Sequence, residues 1–219
     1  MFTRVLMLGA LAVIPVEARA QSQPPAATQP AAAQPAQAPR IPRATASTRA
    51  SVAVLIDSRW GEGGWFGALS LAGPARIAID YGQPHARGRN VVGLAGVMPW
   101  DSVWRAGANM STQLTAEVDM TIGNVFIPRG IYSLFALPTK NGWKLIVSKE
   151  LLQWGTDYDP KQDFARIDLR SRTLPEPLES LTFWLVPAIE APPSPTFPHG
   201  VLRFAWGNTE LSTDWRVGR

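Results

Sequence analysis

A chain of 219 residues with 46% hydrophobic content, nine Trp and eight Phe can bury one sizeable core, since each large aromatic side chain covers on the order of 150–250 Å². The formal net charge of +4 and pI near 9.8 come from arginines scattered along the chain, without a Lys/Arg run or a basic helix, which speaks against a nucleic-acid-binding protein. The absence of cysteine excludes a disulfide framework, a thiolate metal site and a lipidated cysteine after a leader.

Residues 1–20 have the pattern of a secretory signal peptide. Arg4 precedes an apolar run over residues 5–16, too short to span a bilayer, and Ala18-Arg19-Ala20 supplies the small-x-small cleavage pattern. Cleavage there makes Gln21 the new N-terminus and predicts an exported, periplasmic or secreted protein. No later stretch is long and apolar enough for a transmembrane segment. Residues 21–43 are Pro, Ala and Gln in irregular alternation, with Pro24, Pro25, Pro30, Pro35, Pro39 and Pro42. Such a segment buries too little surface to offset its ordering entropy and reads as a disordered tether.

A single domain is expected over residues 44–219, with order beginning near Ser51. Residues 51–57 form a compact apolar run of strand type. The glycine-rich stretch from Trp60 through Trp65 to Gly67 is a loop, and residues 68–72 offer a return strand. Residues 75–81 alternate, with Ile77, Ile79 and Tyr81 on one face and Arg76, Ala78 and Asp80 on the other. Pro99 to Trp104 fits one short helical turn. Residues 113–122 read as one strand, apolar at every even position, with Gln113, Thr115, Glu117, Asp119 and Thr121 facing solvent or a polar site.

Gly123-Asn124 makes a tight turn into residues 125–127. Asn141-Gly142 predicts a type I′ hairpin pairing residues 131–137 with 143–148. Residues 149–162 read as a helical turn and a loop. Three further strands are expected at 164–170, 181–187 and 201–206, and a short one at 210–212, with a proline-rich connection at 191–198. Eight or so short strands without an amphipathic helix predict an all-β domain, an antiparallel β-sandwich or a flattened barrel.

Between the strands, residues 81–109 concentrate Arg, Gly, Trp and Asn, which regular strands do not need. Tyr81, Arg89, Arg105 and Asn109 are the candidate ligand-binding residues. Arg105 presents a planar fork for a carboxylate or phosphate, Gly107 lets backbone approach, and Asn109 adds a donor and an acceptor. The same residues also suit an internal strut, with Arg105 bonding the carbonyls of an irregular loop and Asn109 capping the strand that follows. Asp80, His85 and Glu117 are the acid–base candidates for a hydrolase in which Arg105 stabilises negative charge.

His85 and His199 are too far apart in the chain for a zinc pair. Asp157, Asp159 and Asp163 lack the glycine and the continuing oxygen ligand of a calcium loop, so neither a metal nor a cofactor is expected. Trp65 and Trp154, in glycine-adjacent loops, suit sugar stacking, whereas most of the nine tryptophans belong in a core.

Several motifs occur in a fixed order: Tyr81-x-x-Pro84-x-x-x-Gly88-Arg89, then Trp104-Arg105-x-Gly107-Ala108-Asn109-x-x-Thr112, then Pro128-x-Gly130-x-Tyr132-Ser133-Leu134-Phe135, then Trp154-Gly155 with Tyr158-Asp159. Together they resemble the bacterial domain-of-unknown-function family 2911 from about residue 51 to 211. The resemblance implies an exported, β-rich protein and brings no activity with it. It also implies an acidic residue after Asn109, where this chain has Met110, so any chemistry relying on that carboxylate is missing. The roles left in view are non-enzymatic binding of a small polar or anionic ligand or an envelope component, a hydrolase, and a structural or partner-binding envelope module.

Overall fold

The structure, a computed structural model, describes residues 46–56, 75–93, 96–188 and 198–219. The expected signal peptide and tether, the loop carrying Trp60 and Trp65, the return strand at 68–72 and most of the proline-rich connection lie outside the described residues. Among the described residues there are nine strands: β1 (Ser47–Ile56), β2 (Ala75–Pro84), β3 (Thr112–Ala116), β4 (Met120–Ile122), β5 (Val125–Ile127), β6 (Gly130–Thr139), β7 (Gly142–Ser148), β8 (Asp163–Pro187) and β9 (His199–Val217). The one helical element is a 3-10 turn, Pro160–Gln162, capped by the Asp159 carboxylate, which accepts from the Lys161 amide.

Every strand pairing is antiparallel, in the order β1-β2-β3-β6-β7-β8-β9-β4-β5. The sheet is not closed, so β1 and β5 remain its edges. It bends into two layers because β8 is long enough to run through both. Residues 163–169 of β8 pair with β7, and residues 170–187 pair with β9. The pairing with β9 slips between Thr173 and Leu178 and again between Leu178 and Thr182. Pro175 and Pro177 offer no amide hydrogen there, and Gly207 opposite adopts a φ of +57°. The two layers close on one core, where Tyr81 of β2 meets Phe183 of β8 at 4.7 Å between ring centroids and Trp104 stacks on Trp206 at 5.9 Å.

Four expectations are revised. The stretch 113–122 is two strands in different layers, β3 beside β2 and β6, and β4 beside β5 and β9; β3 keeps its alternation, whereas all of β4 is buried, Thr121 donating to the Gly218 carbonyl. The break is held by Asp119, whose carboxylate accepts from the Arg129 amide and whose carbonyl accepts from Gly218. The hairpin after β6 turns on Lys140-Asn141, with Gly142 already paired to Thr139 at a φ of +140°. Residues 99–104 form a turn with Asp101 at φ +61° instead of a helix. The four strands expected after residue 163 are two continuous ones. Proline and glycine in β8 and β9 mark bends in long strands, and the sequence rules read them as ends.

The register places one side chain from each of six strands in a transverse row: Ser51, Asp80, Gln113, Ser133, Ser148 and Asp163. These polar residues stand on the face turned away from the core, because their neighbours Ile79, Leu114, Leu134 and Val147 belong to it. Residues 149–162 fold back over part of that outer face and bury Ser133 and Ser148 almost completely.

Candidate functional site

The segment from Tyr81 to Asn109 lies on both faces of β2. Tyr81 points inward; its hydroxyl accepts the Phe183 amide at 3.3 Å, and burial raises its pKa, so it stays neutral. Gly82 points outward, and the loop around Ala108 crosses directly over it. The Ala108 amide donates to the Gly82 carbonyl at 3.0 Å, and a Cβ on Gly82 would collide with the Ala108 carbonyl. Thr112 ties the same loop down by donating to the Ala106 carbonyl at 2.9 Å. Trp104 enters the core, where its amide and carbonyl bond Ala136 of β6, while Arg105 remains on the outer side.

Arg105 and Asn109 are brought together. Arg105 donates from one terminal nitrogen to the Asn109 carbonyl at 3.1 Å, and the Gly155 amide donates to the same oxygen at 3.0 Å. Gly155 fits only without a side chain, since a Cβ would overlap Arg105 Cδ and lie 2.8 Å from the Asn109 oxygen. Burial lowers the Arg105 pKa, and among the described residues no carboxylate pairs with it. Asn109 is exposed at φ +65°, a conformation asparagine tolerates better than most residues. Its side-chain amide has no partner among the described residues.

The covering loop adds a second polar group. Ser111 Oγ lies 3.0 Å from Ser133 Oγ, and both reach Gln153 Oε1, at 3.1 and 3.2 Å. Gln153 Nε2 is buried without a partner. Nearby, the Tyr158 hydroxyl donates to the Asp163 carboxylate at 2.8 Å and accepts from Arg166 at 3.0 Å. Burial first, then the Asp163 bond, pushes its pKa up to about 12, so Tyr158 is a clamp on the loop and not a proton donor at neutral pH. Sequence reasoning recognised Trp154-Gly155 and Tyr158 as motif but missed Gln153 and Ser111, whose meeting with Ser133 depends on the strand register.

Arg89 lies apart from that pair. Its Nε donates to the Ala86 carbonyl at 3.0 Å and one terminal nitrogen to the His85 carbonyl at 2.7 Å, so its fork is fixed while its other terminal nitrogen stays available. It borders a cavity of about 470 Å³ formed where the 86–92 loop meets the bulged parts of β8 and β9. Asn90, Glu179, Asn208 and Thr209 line it as well. Glu179 accepts the Arg87 amide at 2.8 Å, and Asn90 and Thr209 have no side-chain hydrogen bond among the described residues. Neither Tyr81, Arg105 nor Asn109 lines this cavity.

The acid–base candidates are dispersed. Glu117 is engaged by Arg76, accepting its Nε at 3.0 Å and its amide at 2.9 Å. Asp80 is on the same outer face, four residues along β2 from Arg76, roughly 13 Å at strand rise. His85 Nδ1 lies 2.8 Å from Ser180 Oγ, a contact across 95 residues that nothing in the sequence announces. Among the described residues no carboxylate bonds the far nitrogen of that ring, and no group of three or more His, Cys, Asp or Glu is placed to hold a metal ion. No described helix is long and apolar enough to cross a membrane.

The fold and these groups define an antiparallel β-sandwich with polar features on its loops and outer face. The family model of DUF2911, a protein of unknown function, matches residues 69–214, and the chain belongs to that family. No curated protein and no solved structure matches it.

Proposed function

We propose that this is an exported, tethered binding protein that takes a small polar or anionic ligand in the cavity beside Arg89, without chemistry. The observation that carries the reading is the cavity itself. Its volume, about 470 Å³, is in the range of small-molecule sites, and it sets a pinned guanidinium beside Asn90 and Thr209; among the described residues Arg89 has no carboxylate partner and those two side chains make no hydrogen bond. A ligand oxygen would meet the remaining Arg89 donor, with Asn90 and Thr209 orienting the rest. Export follows from the leader pattern, and a mature protein beginning at Gln21 on N-terminal sequencing supports it; one beginning at Met1 overturns it.

The test is thermal unfolding of the mature protein against citrate, phosphate, sulfate and gluconate, in wild type and Arg89→Gln. A ligand that binds only the folded state at about 100 times its Kd adds about 2.7 kcal/mol. The expected outcome is a concentration-dependent rise in Tm for at least one anion that Arg89→Gln abolishes. No rise with any of them, or an equal rise in the variant, overturns the reading.

The His85–Ser180 contact favours a hydrolase as the second reading, with Ser180 as nucleophile and His85 as base. It requires turnover of a p-nitrophenyl ester that Ser180→Ala removes. The lack of a carboxylate to orient His85 makes binding the better-supported function.

A further inference from the structure

We propose that Trp154, Asn109 and Arg105 form a second, separate binding surface, one that takes an uncharged sugar ring of a polysaccharide. Trp154 is 50% exposed, whereas the other described tryptophans are buried or half-buried. Leaving so large an apolar ring in water is unfavourable, and this ring is not on a loose loop. Trp154 bridges Met110, Ser111 donates from its amide to the Gln153 carbonyl at 3.2 Å, and Gly155 is wedged against Arg105 and Asn109. The backbone that presents the ring is therefore fixed by the strap that crosses β2, a rigid mounting of the kind that preorganised sites need.

The polar groups beside the ring match a saccharide. The Asn109 amide, exposed and unpartnered at φ +65°, offers a donor and an acceptor to neighbouring hydroxyls. Arg105 has given one donor to the Asn109 carbonyl and retains others. An aromatic face for the C–H side of a pyranose, on a residue joined through Met110 and Gly155 to Asn109 and Arg105, puts an amide and a guanidinium on the same strap for its hydroxyls.

Charge decides the class of sugar. The covering loop carries Glu150, Asp157 and Asp159 against Lys149 and Lys161, and with Arg105 the surface is balanced in charge, which favours a neutral glycan over a polyanionic one or an anionic lipid surface. Leu151 and Leu152, 41% and 76% exposed, are the apolar neighbours a membrane would have used.

The experiment is affinity electrophoresis of the mature protein through native gels holding hydroxyethylcellulose, xyloglucan, dextran, alginate or no polymer. Wild type is compared with Trp154→Ala, which removes an exposed ring, and Asn109→Gly, which removes the amide while glycine accepts the positive φ. Both variants should melt like wild type. At least one neutral polymer should retard wild type; Trp154→Ala should bind it about tenfold more weakly, the order of a lost aromatic stacking contact, and Asn109→Gly should also bind it more weakly, having lost a hydrogen-bonding amide. Retardation by no neutral polymer, by alginate alone, or undiminished in Trp154→Ala overturns the proposal. So does a Trp154-dependent loss of sedimentation with phosphatidylglycerol vesicles, which assigns the loop to a membrane. Arg89→Gln should leave this retardation unchanged, so failure here and failure at the cavity are told apart.

Discussion

Gly155 shows how a motif glycine acts in this protein. Its hydrogen atom stands where any Cβ would overlap Arg105, so Gly155→Ala should cost about 1–3 kcal/mol, as overpacking does elsewhere, read from the urea midpoint. If Gly155→Ala leaves the midpoint unchanged, the strap yields easily and the rigid mounting of Trp154 is wrong. Glu210 makes a complementary case. It is buried, and Arg172 reaches it with Nε at 2.6 Å and a terminal nitrogen at 2.9 Å. That bond chiefly, helped by the charges of Arg172 and Arg203 and opposed by burial, holds its carboxyl below the usual range. A depressed folded value adds stability above the unfolded glutamate pKa of about 4.3. The contribution drains away as the pH falls through the lowered value. Glu210→Gln should therefore narrow the gap in urea midpoint between neutral and acid pH; a gap equal to that of wild type would mean the pair contributes nothing to acid sensitivity.

At the scale of strands, the sequence was readable wherever one face is buried. Ile77, Ile79 and Tyr81, or Leu114 and Ala116, alternate because the core accepts every second side chain. It was unreadable where a strand changes layer. Alternation continues unbroken through Val118 from β3 to β4, so periodicity cannot reveal that the pairing partners change. Pro175, Pro177 and Gly207 look like ends because the rules that read them describe local geometry, whereas a bulged strand continues through them. The candidate residues fared similarly: the motifs located Arg89, Arg105 and Asn109, but which of them meet depends on Gly82 letting the strap cross, a contact no spacing encodes. The pairing order gives a further expectation. Amide exchange should be slowest in β6 and β7, flanked on both sides, and fastest in β1 and β5. Uniform exchange across all nine would contradict the open-edged order.

For the domain as a whole, β8 runs through both layers and leaves no seam along which they separate. Trp143 reports on the β6–β7 layer and Trp215 on the β4–β9 layer, yet both rest in the same core. Tryptophan fluorescence and far-ultraviolet circular dichroism should consequently give superimposable urea transitions, the mark of all-or-none unfolding. Two resolved transitions would show that one layer stands without the other.

The position of β9 also bears on how the chain is made. It is the last of the described strands to be made, yet it lies between β8 and β4, and β5 joins the sheet only through β4. Until residue 217 is available, residues 170–187, most of β8, have no partner and the β4–β5 hairpin has nothing to dock against. The nascent chain therefore has no finished domain to fold into, the condition that the proposed export would require.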